Sequence, residues 1–453
     1  MSDKLISFKA YDIRGIVPDQ LNVELVYSIG RAYAKEVKPV GPVVVGYDVR
    51  LSSNELAVSL IKGLNDAGVN VLDIGLCGTE TVYFASAREK IGGGIMITAS
   101  HNPAQYNGLK LVRSGAVPIS GKTGLDNIES FVVDNALGEP ATKRGLCKKE
   151  NVTKDFAKKI LSFVDIKKIK PFKIVVNTGN GSAGLVIDEL EKSLPFKLIK
   201  VNHKPDGTFP NGVPNPMLSE THYQTADVIK QKLADFGVAW DGDYDRCFFF
   251  DERGEFVDSY YIVGLLAEYM LHKYPEAKII HDPRLTWNTL EKIKANGGQA
   301  VESRTGHVFI KERMRLEDAV YGGEISGHHY FKDFNYCDSG MIPWMLMSAI
   351  LSEKKKPLSQ LISESKKHYP NSGEINSVVK DAKAVLEDIL KKYEPLASKK
   401  DMTDGISLEF DHKWRFNLRS SQTEPVIRLN VETNGDEKLL QEKTSELLKI
   451  IRA

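Results

Sequence analysis

The run Val43-Val44-Val45-Gly46-Tyr47-Asp48, followed closely by Ser52-Ser53-Asn54-Glu55, decides how this chain is read. A β-branched apolar stretch ending in polar residues reads as a buried strand with a polar carboxyl end. Ser52 and Glu55 have the spacing of a capping box. Leu56, Leu60, Ile61 and Leu64 then fall on one helical face, Gly68 supplies a stop, and a second strand is predicted over 69–74. The same strand–helix pattern returns twice. The strand Lys173-Ile174-Val175-Val176-Asn177 runs into Thr178-Gly179-Asn180-Gly181-Ser182 and a helix over 183–194. A strand over 277–281 runs into Asp282-Pro283-Arg284 and a helix over 286–295. Alternation of this kind predicts α/β units, whose ligands bind at the carboxyl ends of the strands.

Around these units, the 453 residues suggest about three domains at roughly 150 residues each, with two or four also allowed. The reading is three related α/β units, 1–150, 151–255 and 256–370, and a smaller α+β unit, 371–453. The last is predicted to hold a helix over 381–393, strands near 405–410, 414–418 and 426–431, and a final helix over 436–451. Residues 248–250 and 256–257 read as a hairpin. A lysine-rich helical segment is expected over 141–172 and a polar connector over 354–370. Lys plus Arg is 61 and Asp plus Glu is 60, so no nucleic-acid or membrane partner is expected. The four cysteines, at 77, 147, 247 and 337, are far apart and read as small buried hydrophobes. No apolar stretch reaches the ~20 residues that span a bilayer, and the chain is expected to be cytoplasmic.

Four clusters carry chemistry. Asp241-Gly242-Asp243-Tyr244-Asp245-Arg246 follows an apolar strand and offers carboxylates at i, i+2 and i+4. Such a loop suits a hard cation such as magnesium, or stands as a solvated acidic turn. Thr98-Ala99-Ser100-His101-Asn102-Pro103 puts a serine on a loop, and fits a Ser/Thr turn before proline equally well. Gly323-Glu324-Ile325-Ser326-Gly327-His328 offers acceptors for sugar hydroxyls and an imidazole near neutral pH. Arg415, Arg419-Ser420-Ser421-Gln422-Thr423-Glu424-Pro425 and Arg428 form a candidate phosphate cradle or a basic surface. Tyr11 to Gly15 and Tyr106 to Lys110 add Arg14 and Lys110. Metal, serine, polyol acceptors and phosphate cradle sum to phosphoryl transfer on a phosphorylated polyol. A GxxxxGK[ST] loop is absent.

Six blocks in order, AYDIRG at 10–15, TASHNP at 98–103, YNGLK at 106–110, DGDYDR at 241–246, GEISGH at 323–328 and RSSQTEP at 419–425, resemble the α-D-phosphohexomutase family over essentially the whole chain. The resemblance implies four domains around a central active-site cleft. It implies a phosphoserine at Ser100 and one Mg2+ per subunit on Asp241, Asp243, Asp245 and a phosphoserine oxygen. Arg246 would neutralise charge at the transferred phosphoryl group. Lys110, with Arg14, would assist proton transfer, and His328 would orient substrate or handle a proton. Glu324, Ser326 and His307 would recognise the sugar. Arg419, Ser421, Gln422, Thr423 and Arg428 would grip the non-reacting phosphate, and Tyr11, His101 and Arg284 would line the cleft. The implied reaction interconverts mannose 6-phosphate and mannose 1-phosphate through a hexose 1,6-bisphosphate, which also serves as activator, in a monomer or homodimer. Glucose phosphates, alone or alongside mannose phosphates, are the alternative substrates. A catalytically silent sugar-phosphate-binding protein is the alternative of another class. Tyr244 stands where many members carry glycine, and Gln422 where asparagine is commoner.

Overall fold

The computed structural model describes residues 5–420 and 426–453. It divides into two compact units, one of residues up to 256 together with 328–355, the other of 257–327 with 356–453.

The opening motif folds as read. Val43–Tyr47 lies between Gly93–Ile97 and Val71–Leu76 and is parallel to both. The sheet continues to Cys147–Lys149 on one side and, through antiparallel pairs, to Tyr106–Arg113 and Ile13–Ile16 on the other. The helices Val23–Val37 and Ser53–Asp66 pack together over its core. Val26, Ile29, Tyr33, Leu56, Leu60 and Leu64 are all buried there, each of the aliphatic ones contributing about 1.5–3 kcal/mol. Their backbones approach so closely that a Cβ at Gly63 would sit 2.2 Å from the Tyr27 carbonyl oxygen. Ser52 does not cap its helix. Both serine hydroxyls accept from the Asn107 amide (2.9 Å each), and Ser53 Oγ donates to Asp48 (2.6 Å), so neighbouring loops take the groups the capping box would have used.

The second sheet of this unit pairs Phe236–Trp240 in parallel with Lys173–Asn177, which is parallel to Lys197–Val201. Cys247–Phe250 returns antiparallel to Phe236–Trp240, and a turn from Asp251 to Glu255 closes the hairpin. The predicted helix over 183–194 is Ala183–Glu191. Of 141–172, only Thr153–Leu161 is α-helical. Cys147–Lys149 is instead an edge strand, because its backbone completes the ladder beside Val71–Leu76, and Cys147 is exposed, unlike the other three cysteines.

In the second unit, Lys278–His281 lies parallel to both Gln299–Glu302 and Tyr321–Gly323. Helices Ser259–Lys273, Trp287–Ala295 and His307–Glu317 accompany these strands. The C-terminal sheet is antiparallel throughout, in the order Ile375–Val378, Val426–Thr433, Trp414–Ser420, Ile406–Phe410, Lys399–Asp401. Ile389 and Tyr393 of Ala382–Tyr393, and Leu447 and Ile451 of Glu437–Ile451, pack into its core with Leu408, Phe416, Leu429 and Val431. The expected connector over 354–370 contains the helix Leu358–His368, whose buried Leu358, Leu361, Ile362 and Ser365 make an i, i+3, i+4, i+7 stripe. Its lysines and serines hide that stripe in a reading by composition. No helix among the described residues is long and apolar enough to cross a membrane.

Candidate active site

In the first unit, three chain segments bring the serine, the aspartates and the cations together. Ser100 follows the buried strand Gly93–Ile97 and adopts a left-handed φ of +50°. The conformation is imposed by Arg50, which is buried and donates to four backbone carbonyls of this loop. Nη2 reaches Ser100 O (2.8 Å) and Asn102 O (2.7 Å), and Nη1 reaches Pro103 O and Tyr106 O (2.8 and 2.9 Å). Thr98 Oγ1 also accepts from the Ser100 N–H (2.8 Å). Ser100 Oγ donates to Asp241 Oδ2 at 2.7 Å.

Asp241 starts the loop that leaves Phe236–Trp240. Arg246 holds it through Nε and Nη2 (2.9 and 2.8 Å) and lies 3.5 Å from Ser100 Oγ. Arg246 Nη2 also donates to His101 Nδ1 (2.5 Å). Because a guanidinium has no acceptor, Nδ1 must carry the lone pair. Burial, then the nearby Arg246 and Arg14, push the His101 proton affinity well below its usual range, so the ring is neutral at pH 7. Arg14 bonds Asn102 Oδ1 and Asp12 (2.7 and 2.6 Å), bracing the same loop. Tyr11, next to Asp12, is half-buried.

Lys110, on Tyr106–Arg113, donates to Asp243 Oδ2 (2.7 Å) and Asp245 Oδ2 (2.5 Å). Thr79 adds a hydroxyl bond to Asp243 Oδ2 (2.6 Å) and a backbone bond to its carbonyl. Burial opposes ionisation of Asp243, but Lys110 and Thr79 outweigh it and hold the carboxyl well below the usual carboxylate range. Burial and then Asp243 push Asp245 up. His328 faces Asp338 at 3.1 Å and Asp245 at 3.9 Å. One oxygen from each of the three aspartates lies within 4.8 Å of the others. Asp243 Oδ1 and Asp245 Oδ1 are buried with no hydrogen-bond partner. Two unsatisfied carboxylate oxygens beside a third aspartate are a donor set that fits a hard divalent cation.

Tyr244 gives this loop its turn. Its φ is +46°, where glycine is comfortable. The ring is fully buried, and its hydroxyl accepts from the Gly78 N–H (2.9 Å) and bonds Thr81 Oγ1 (2.7 Å). Tyrosine thus ties the aspartate loop to the start of helix Thr79–Ser86. Tyr244→Phe leaves the Gly78 N–H without that acceptor and the Thr81 hydroxyl without that partner. It is expected to cost about 1–3 kcal/mol, read as a lower urea midpoint of Trp240 fluorescence.

The second unit holds the remaining candidates. Asp282 accepts from Arg284 Nη2 (2.7 Å) and from the Ile325 N–H (3.0 Å), fixing the 323–328 loop to Arg284. Glu324 is buried and accepts from the Gly306 N–H (2.9 Å), beside His307 at the start of its helix. Ser326 is half-buried on the same loop. Arg419 donates to Thr305 Oγ1 (2.9 Å) and Glu374 (2.8 Å), and Arg428 reaches Glu374 at 3.4 Å. Ser421, Gln422 and Thr423 lie outside the described residues. Arg415, placed by the sequence with the phosphate cradle, is buried and spent on Glu432 (2.6 Å) and on the carbonyls of Pro283 and Arg284. Its role is structural. Sequence reasoning missed Arg50, Thr79 and Glu374. The only local signal was for Arg50, two residues beyond the polar end of Val43–Tyr47.

Comparison with known proteins gives the family. Models of phosphoglucomutase/phosphomannomutase α/β/α domains I, II and III match residues 5–137, 154–254 and 258–369, and the model of the C-terminal domain matches 374–449. The chain belongs to the phosphoglucomutase/phosphomannomutase family. It is 53% identical over 457 residues to a phosphomannomutase of Escherichia coli, covering 99% of this chain and all of that one. It is 52% identical to a protein of Xanthomonas campestris pv. campestris (strain B100) named as phosphohexose mutases, over 99% of each. A crystal structure of a family member from Burkholderia thailandensis superposes with a TM-score of 0.88 at 31% identity, over 98% of this chain and 97% of that one.

Proposed function

We propose that this chain is a cytoplasmic, magnesium-dependent phosphomannomutase. It interconverts D-mannose 6-phosphate and D-mannose 1-phosphate through a phosphoserine at Ser100 and a hexose 1,6-bisphosphate. The observation that carries the reading is Ser100 Oγ at 2.7 Å from Asp241, at the head of the three-aspartate loop and beside Arg246. Mg2+ held by Asp241, Asp243, Asp245 and an oxygen of phosphorylated Ser100 would supply positive charge to the phosphoryl oxygens. The P–Oγ bond of phosphoserine breaks as the sugar hydroxyl forms its new P–O bond. Arg246 offsets the charge that develops on the equatorial oxygens and on the leaving Oγ. Lys110, kept protonated by its two aspartates against the effect of burial, adds positive charge to the site, and this reading assigns to it the proton that the leaving Oγ takes up. His328 is suited to take the hydroxyl proton. Glu324, Ser326 and His307 hold the sugar, and Arg284, Arg419, Ser421, Gln422, Thr423 and Arg428 grip the phosphate that does not react. The bisphosphate then turns end for end, and its other phosphate returns to Ser100.

A second reading, one enzyme for both mannose and glucose phosphates, is favoured by the name of the Xanthomonas relative. Mannose and glucose differ only at C2. Purified protein given mannose 1-phosphate or glucose 1-phosphate, with magnesium and a trace of hexose bisphosphate, separates the two. A kcat/KM at least about tenfold higher for mannose, or ~1.4 kcal/mol in the transition state, is the expected result. Equal values would establish the dual reading. A protein that turns over neither sugar and retains no phosphate on Ser100 after exposure to hexose bisphosphate would be a binding protein.

A further inference from the structure

Two arginines of the phosphate grip proposed above, Arg419 and Arg428, lie on a sheet face with an unusual pairing of charges. Trp414–Ser420 and Val426–Thr433 run antiparallel with Arg415 opposite Glu432 and Arg419 opposite Arg428. Residues 415, 417 and 419 share one face with 428, 430 and 432. At one end of that face an arginine meets a carboxylate, as cross-strand pairs favour. At the other end two arginines meet, which is repulsive when nothing lies between them. Glu374 lies between them. It immediately precedes Ile375–Val378, which pairs with Val426–Thr433 so that Asn376 faces Arg428. One carboxylate oxygen takes Arg428 Nη1 (3.4 Å). The other takes Arg419 Nη2 (2.8 Å) and Arg284 Nη1 (3.4 Å). Three arginines thus share a single carboxylate.

We propose that Glu374 is a displaceable counter-ion: it neutralises the Arg419–Arg428 pair when no phosphate is bound and yields both arginines to the sugar's non-reacting phosphate. The proposal rests on the reading of these arginines as the phosphate grip. Two arginines do not depend on Glu374 for their position. Arg284 is anchored by Asp282 (2.7 Å), and Arg419 by Thr305 Oγ1 (2.9 Å), with Asp404 3.6 Å away. Glu374 therefore contributes charge more than geometry. Burial works against its ionisation, yet the arginines keep its proton affinity below the ordinary range, so the carboxylate is charged at neutral pH. The reaction gives such a device a use. The bisphosphate has to leave this grip, turn and re-enter it, and a carboxylate that competes for the same arginines lowers the cost of letting go.

The test is the sign of one substitution. Inorganic phosphate is titrated calorimetrically into the full-length protein, Glu374→Gln and Arg419→Ala at one low ionic strength. The affinity lost in Arg419→Ala assigns the heat to this cluster. Glu374→Gln is expected to bind phosphate about fivefold tighter, the size of one partly exposed charge interaction. It should also lower KM for mannose 1-phosphate, and lower kcat to the extent that release and turning of the bisphosphate limit turnover. Glu374→Ser, which removes the charge without adding an amide, should shift affinity the same way. Unchanged or weaker phosphate binding in both variants would overturn the counter-ion and leave Glu374 as a positioning residue. If Arg419→Ala binds phosphate like the parent protein, the phosphate-grip reading itself fails, and the counter-ion with it.

Discussion

Ser100→Ala is expected to lower kcat by at least about 10^4-fold, the scale seen when a covalent nucleophile is removed, while the thermal midpoint moves by no more than a few degrees. The separation follows from what holds the loop. The left-handed turn at residue 100 is clamped by Arg50 through four backbone carbonyls, none of which involves the serine hydroxyl. Alanine and serine carry the same Cβ, so the backbone strain is unchanged. Asp241 loses one hydrogen bond but keeps Arg246 on the same oxygen. What disappears is the atom proposed to receive and return the phosphoryl group. Turnover of mannose 1-phosphate, phosphate retained after exposure to hexose bisphosphate, and a thermal melt should be read on one preparation. Residual turnover above a few per cent with an intact fold would mean that phosphate does not pass through Ser100.

Much of the candidate site in each unit was legible because its parts are local. Asp241, Asp243 and Asp245 sit within five residues, and the strand before them predicts a polar carboxyl end. Ser100 sits within the TASHNP block, and Glu324 and His328 within GEISGH. The fold was legible for the same reason. Leu56, Leu60 and Leu64 repeat at helical spacing, whereas Val43 to Val45 form a short continuous apolar run. The groups that hold the site in place were not legible. Thr79 meets Asp243 across 164 residues, and Glu374 meets Arg419 across 45. A lone threonine or glutamate leaves no periodic trace, and its partner is set only when separate elements pack. Arg415 failed in the opposite sense. Proximity to Arg419 in sequence suggested a shared ligand, but register put Glu432 directly across from it. Composition misled where polar residues outnumbered a narrow apolar stripe, as in Leu358–His368.

Glu432→Ala should be the most damaging substitution to the second unit, lowering its stability by about 3–5 kcal/mol, the cost of stranding the partner of a buried ion pair. Glu432 is fully buried and accepts from Arg415 Nη1 (2.6 Å), the Tyr260 hydroxyl (2.5 Å) and the backbone N–H groups of Thr286 and Trp287 (2.7 and 3.3 Å). The last two lie at the start of Trp287–Ala295, where the helix dipole also favours a carboxylate. Alanine leaves a guanidinium, a phenol and two helix-terminal donors without that acceptor, and no side chain at 432 to replace it. Arg415 also holds the Pro283 and Arg284 carbonyls, so the loss should reach the proposed phosphate grip and raise KM for the sugar phosphate. Urea unfolding followed through Trp287 and Trp414, which belong to this unit, gives the readout. The double variant Glu432→Leu with Arg415→Met should recover part of the loss, because it removes the stranded charge along with its partner. A single variant with an unchanged midpoint would show that water, not protein, satisfies these donors. A double variant no better than the single one would place the cost in Tyr260 and the helix terminus rather than in the ion pair.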